Sequence, residues 1–218
     1  MIIKTQVVSH WEQNARVLID PIMKHAVIVD PGAEVEVLLN LAEPAINQVT
    51  DIFITHCHID HAGGVAALLE LFDQRGLARP RVAYHTEGQF LGDRIDMQSI
   101  SMGLPPGQYR NVPKVDLDLK GLTSFSVGSV TGKLLYTPGH APGHIALYFE
   151  LPEPVVISGD ALFRRSIGRT DLPGGDYELL IQSIKSQLLT LPDETKVLSG
   201  HGPDTTIKDE RARNPFLN

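Results

Sequence analysis

Four short apolar runs in this chain each break into a turn that carries histidine or aspartate, and this recurrence limits what the chain can fold into. Residues 52–54 run into His56-Cys57-His58-Ile59-Asp60-His61, and 134–136 into Pro138-Gly139-His140. Residues 155–157 run into Ser158-Gly159-Asp160, and 197–199 into Gly200-His201-Gly202. Apolar runs of this length bounded by turn residues read as buried strands. A rigid sheet fixes the ends of its strands, so side chains from distant segments converge there.

Residues 2–8, 15–19, 26–29, 82–84, 123–127, 130–136 and 145–149 also read as strands, whereas 34–41, 65–75 and 177–189 have helical spacing. The stretch 93–118 has a weak pattern broken by prolines and reads as a long loop, either a candidate lid or a plain surface excursion. Many strands with few, widely spaced helices argue for an α/β (α+β) chain of two mixed sheets with helices outside, not a doubly wound nucleotide-binding fold. No Pro/Gly/Ser linker divides the chain, so residues 1–218 are expected to form one domain.

Composition narrows the function classes. Nineteen basic against 26 acidic residues give a net charge of −7, which argues against a surface built for nucleic acid. The aliphatic runs fall far short of the ~20 residues a bilayer-spanning helix needs. Lys4 is not followed by the apolar stretch of a secretory signal. The single cysteine, Cys57, has no internal partner, and a reducing, cytoplasmic location is the expectation.

Of nine histidines, five lie in the turns named above. His56 and His58 are two apart, so in extended backbone their rings share one side and Cys57 points away. Asp60 and His61 follow once the chain has begun to turn and can face the same cavity from another direction. Imidazoles with carboxylates suit a borderline divalent ion, and the lack of a thiolate cluster argues against a closed structural zinc. His10, His25 and His85 stand alone and are read as ordinary hydrogen-bonded histidines. His144 is open to two readings, a further ligand or a support for the cluster, and the second is preferred.

Thr55-His56-Cys57-His58-Ile59-Asp60-His61, with Pro138-Gly139-His140, Gly159-Asp160 and Gly200-His201-Gly202 in order behind it, resembles the signature of the metallo-β-lactamase-fold hydrolases. The resemblance spans nearly the whole chain and implies a four-layered αββα sandwich. It also implies two divalent ions, zinc with iron or manganese as alternatives. One would be held by His56, His58 and His140, the other by Asp60, His61 and His201, with Asp160 bridging. Water ionised between the two ions would attack a carbonyl, and Asp60 and Asp160 would be the catalytic carboxylates.

Gly168-Arg169-Thr170-Asp171-Leu172-Pro173-Gly174-Gly175-Asp176, the segment from Gly200 to Ile207 and the ending Arg213-Asn214-Pro215-Phe216-Leu217 resemble the short bacterial glyoxalase II-like (hydroxyacylglutathione hydrolase-like) proteins. This implies hydrolysis of a small-molecule thioester, S-D-lactoylglutathione or a related acyl-thioester, without the helical C-terminal domain that helps full-length members bind glutathione. Arg169 matches a substrate-binding lysine of those members, whereas Asp171 and Pro203 stand where they have tyrosines; a structural ion pair of Arg169 with Asp171 is an equally open reading. Two alternatives remain open. One is a persulfide dioxygenase of the same fold with a single Fe(II) on His56, His140 and Asp160; the other is a non-enzymatic interaction module. The oligomeric state has no signature in the sequence.

Overall fold

A computed structural model describes residues 1–151 and 153–217. The chain divides into two compact units, residues 1–120 with 126–130, and residues 121–125 with 131–217.

The first unit is built on a six-stranded sheet of β1 (Ile2–Val8), β2 (Gln13–Asp20), β3 (His25–Val29), β4 (Val49–Phe53), β5 (Arg81–Tyr84) and β6 (Leu117–Asp118), in that spatial order. The first two pairings are antiparallel and the next three parallel. Parallel neighbours require crossovers, which are supplied by α1 (Val35–Leu41), by α2 (Ile59–Ala62) with α3 (Val65–Gln74), and by α4 (Gln89–Gly92) with α5 (Ile95–Ser101). The carboxyl ends of β3, β4 and β5 therefore share one edge, where ligand-bearing loops of such sheets collect. Asp30, Thr55 and His85 follow those three strands.

A second six-stranded sheet, which apart from residues 126, 127 and 130 belongs to the second unit, has the order β14 (Thr205–Thr206), β13 (Lys196–Ser199), β10 (Val155–Gly159), β9 (Ile145–Phe149), β8 (Val130–Tyr136) and β7 (Ser124–Val127). A small hairpin, β11 (Leu162–Phe163) with β12 (Ser166–Ile167), stands beside it. The parallel β10–β13 pair is bridged by α6 (Tyr177–Ser183), which continues as a π-helical turn over Ile184–Leu188. Asp176 caps α6 by accepting from the Leu179 amide at 3.0 Å. Leu180, Ile184 and Leu188 pack with Val156, Val197 and Leu217, so the C-terminal segment closes this core. The last helix is α7 (Ile207–Arg213).

The expected class, mixed α/β with two sheets and helices outside them, is what the structure has. The stretch 93–118 is a correction: it contains α5. That helix lacks an amphipathic signature because its apolar Met97 and Ile100 are exposed, while Ile95, Ser99 and the amide of Gln98 face inward. Helix α7 also went unread, since its buried face includes a glutamate, Glu210.

Candidate metal centre

In the first unit the sequence around the first histidine cluster changes conformation where the spacing predicts. His58 is extended (φ −74°, ψ 153°), and its carbonyl accepts from the His61 and Ala62 amides, starting α2. The rings of His56 and His58 lie 4.8 Å apart, on the same side, and His61 returns its ring to within 4.2 Å of His56. Cys57 points elsewhere: it is buried, and burial, with the Asp30 and Asp93 carboxylates, pushes its thiol pKa up. A protonated, buried thiol is a poor nucleophile.

Asp30 organises this cluster. Its Oδ1 accepts from the Thr55 amide at 2.7 Å, and its Oδ2 accepts from the Thr55 hydroxyl at 2.7 Å and from His61 Nδ1 at 2.9 Å. The Thr55 hydroxyl has one proton and gives it to Asp30, so its contact of 3.1 Å with His56 makes it the acceptor from Nδ1. His56 and His61 are therefore both Nδ1–H tautomers, with the lone pair on Nε2, the form that binds a metal. Gly32 lets the backbone close on the site, because a side-chain carbon there would stand 1.7 Å from the Asp60 carbonyl oxygen.

The second unit repeats the logic. His140 Nδ1 donates to the Arg169 carbonyl at 2.7 Å, which again puts the lone pair on Nε2. Asp160 Oδ2 stands 3.7 Å from His140 Nε2 and 3.6 Å from His201 Nε2. In the first unit His61 Nε2 stands 3.6 Å from Asp60 Oδ2. These separations are too long for hydrogen bonds. They fit two donors about 2.1 Å from one tetrahedral ion, which stand about 3.4 Å apart. On donor chemistry and spacing, these residues suit divalent cations.

His144 uses both ring nitrogens internally: Nε2 accepts from the Asp160 amide at 3.1 Å, and Nδ1 contacts the Thr137 hydroxyl at 2.8 Å. It holds the Asp160 backbone, the supporting place expected for it. Gly168 is required beside it, since a side-chain carbon there would lie 2.0 Å from the Asp160 carbonyl oxygen and 2.9 Å from His140 Nδ1.

Within each unit the expected donors are brought together: His56, His58, Asp60 and His61 in one, His140, Asp160 and His201 in the other. The Arg169 side chain turns to a bidentate pair with Asp171, both bonds at 2.7 Å, with both groups exposed. The pair raises the Arg169 pKa and holds that of Asp171 at about 2. Outside the cluster, His85 accepts from the Glu87 amide at 3.2 Å, and His10 stacks on Trp11.

Two supports escaped sequence reasoning. Asp30 lies in an Asp-Pro-Gly turn, which by itself signals only a turn. Gln98 of α5 accepts from the Ile59 amide at 3.0 Å and donates to the Cys57 and Leu91 carbonyls at 3.3 and 3.0 Å, tying the ligand loop to α4. No local pattern marks such a glutamine.

The model of the family described as the Metallo-beta-lactamase superfamily matches residues 12–201. A hydroxyacylglutathione hydrolase, GloC, of Haemophilus influenzae is 36% identical over 217 residues, covering 97% of this chain and 95% of that protein. Among solved structures, the BLEG-1 B3 metallo-beta-lactamase superposes with a TM-score of 0.85 at 36% identity, covering 100% of both chains. TTHA1623 in a di-iron-bound form superposes with a TM-score of 0.83 at 35% identity, covering 98% of this chain and 100% of that one.

Proposed function

The chain belongs to the metallo-beta-lactamase superfamily, and from that premise we propose that it is a hydrolase of small-molecule thioesters that works with two divalent ions. The observation that carries the reading is the shared tautomer of His56, His61 and His140. Asp30, Thr55 and the Arg169 carbonyl each fix an Nδ1–H, so all three rings direct a lone pair from Nε2. One ion would be held by His56, His58 and His140, the other by Asp60, His61, Asp160 and His201, and we propose that Asp160 would serve both. Zinc is the proposed ion. The same His/Asp donors suit iron or manganese, and a di-iron form of a relative at 35% identity supports a site for two.

When bound, such ions lower the pKa of a coordinated water towards neutrality and polarise a carbonyl oxygen. The protein's part is orientation. Asp60, its side chain 18% exposed, orients the attacking water, and Asp160 is held as a donor by its amide, which is anchored on His144. Hydrolysis forms a bond from the water oxygen to the acyl carbon and breaks the acyl C–S bond, and the departing thiolate takes a proton that the water gave up. No side-chain nucleophile is needed. Arg169, on the surface, is the group proposed to meet an anionic part of the substrate once it exchanges Asp171 for it.

The name of the GloC relative supports a glutathione thioester as substrate. A net charge of −7 disfavours nucleic acid as a partner, and no helix among the described residues is long and apolar enough to cross a membrane. A cytoplasmic setting is part of the proposal. The test is metal content per chain on protein purified without added metal, followed by assays on S-D-lactoylglutathione and simple acyl-thioesters. Two ions and thiol release are expected. A single iron, with oxygen uptake on a persulfide, would replace the hydrolase with an oxidative enzyme.

A further inference from the structure

Gln98 of α5 does more at the candidate metal centre than tie the ligand loop to α4. Ile95, Gln98 and Ser99 are spaced to share one face of that helix, with Ile95 and Ser99 buried and Gln98 half-buried beside them. On this face the Gln98 carboxamide meets the first ligand loop. Its Oε1 accepts from the Ile59 amide at 3.0 Å, and its Nε2 donates to the Cys57 carbonyl at 3.3 Å and to the Leu91 carbonyl at 3.0 Å.

The two loop contacts bracket one residue. Cys57 contributes the carbonyl of the peptide before His58, and Ile59 the N–H of the peptide after it, so one planar carboxamide restrains the backbone on both sides of a candidate ligand. The bracket falls where the chain passes from extended to helical: His58 is extended, and α2 starts at Ile59. A helix leaves its first amides without intrahelical partners, and Ile59 is a buried residue, so its amide needs an acceptor from elsewhere. His58 stands at the N-cap of α2 but gives no side-chain cap. Gln98 supplies the acceptor from outside the loop, which leaves the His58 imidazole to the centre. His56 and His61, by contrast, are oriented through Nδ1 by the Asp30–Thr55 pair.

We propose that Gln98 is a positioning residue for His58, and that through the His58 backbone it sets the affinity of the ion that His58 would hold. The inference rests on the two-ion assignment and deepens it by making the two positions unequal. Asp30 acts on both, through His56 and His61, whereas Gln98 acts on one. The loop's donors for the other ion keep ties of their own: His61 bonds Asp30, and the Asp60 backbone packs on Gly32. A carboxamide offers a donor and an acceptor in one plane, so an apolar chain of the same length loses both restraints at once. The ion then has to order His58 itself, and that ordering cost is taken from its affinity.

Cobalt(II) added to the metal-free protein reads the two positions without turnover, by its visible absorption and by competition with a chelator. Wild type is expected to take up two ions. Gln98→Met should weaken one of the two steps about tenfold and leave the other within about twofold, and His58→Ala should strike the same step. Gln98→Glu keeps the acceptor for Ile59 and loses the donor for Cys57; it should weaken that step too, and it carries the test if Gln98→Met does not fold. Asp20→Asn controls for lost stability, since it loosens the same unit at the end of β2 that pairs with the start of β3, away from the ligand loop. It should leave both steps and the cobalt spectrum as in wild type. Two wild-type steps that neither Gln98 variant moves, an equal loss at both steps, or the same loss in Asp20→Asn overturns the proposal alone. A wild type that binds no cobalt overturns the two-ion reading and this inference with it.

Discussion

His61 Nδ1 donates to Asp30 Oδ2 at 2.9 Å, and both side chains are shut off from solvent. Because the same carboxylate also receives the Thr55 hydroxyl, which in turn receives His56, one aspartate sets the tautomer of two candidate ligands in the same turn. Metal-binding histidines depend on such partners for orientation and basicity.

Asp30→Asn tests that dependence. Asparagine has one acceptor oxygen for three donors, so its amide N–H must face either the Thr55 amide or the pair formed by Thr55 Oγ1 and His61 Nδ1. In the second arrangement His61 shifts its proton to Nε2 and loses its lone pair there. Metal affinity is expected to fall about 10- to 100-fold, read by competition with a chromogenic chelator. Unchanged affinity would show that the tautomer is set elsewhere.

Arg169 separates backbone from side-chain roles. Its carbonyl orients His140, while its guanidinium pairs with Asp171 at the surface. Arg169→Ala keeps the carbonyl, so metal content should stay at the wild-type value. KM should rise for an anionic thioester such as lactoylglutathione and hold for a neutral one. A rise common to both would remove Arg169 from substrate recognition.

How far these features could be read from the sequence follows from how local their signals are. His56, His58, Asp60 and His61 were legible because a strand-to-helix turn fixes where each side chain goes, and Asp160 and His201 because each follows an apolar strand. Asp30 and Gln98 were not, since their meaning lies in contacts with residues 25 or more positions away. The same reason hid α7. A buried glutamate looks polar in sequence and becomes intelligible only beside Arg165, Thr205 and Asn214.

Glu210 is that glutamate, with its side chain fully buried. Its two oxygens accept from the Arg165 amide and guanidinium at 2.8 and 3.1 Å, from the Thr205 hydroxyl at 2.6 Å and from Asn214 Nδ2 at 2.8 Å. Glu210→Ala strands the buried Thr205 and Asn214 donors, whereas Arg165 can still reach water. A loss of about 2–4 kcal/mol is expected, seen as a lower urea midpoint with an unchanged slope. A loss below about 0.5 kcal/mol, the range of ordinary surface substitutions, would mean that α7 is held by its apolar face alone.

Asp20 predicts how stability depends on acid. Its Oδ2 accepts from the Ser129 hydroxyl at 2.6 Å and amide at 2.7 Å, and its Oδ1 from the Ile22 and Met23 amides at 2.8 and 3.2 Å. The Ser129 hydroxyl is the largest influence, and together these donors hold the carboxyl far below its ordinary value of 3.8, against the opposing effect of burial. A group whose folded pKa is depressed stabilises the native state above its unfolded pKa and loses that contribution as pH falls towards the folded value. Wild type should therefore be more stable than Asp20→Asn at neutral pH, because the asparagine amide turns a donor towards donors. The gap should stay constant down to roughly pH 5 and shrink below roughly pH 4, as the unfolded carboxyl takes up its proton. Urea midpoints of the two proteins across that range decide it: a gap that keeps its size in acid would mean the substitution acts through packing against Gly128, whose backbone closes on the Asp20 side chain, and not through charge.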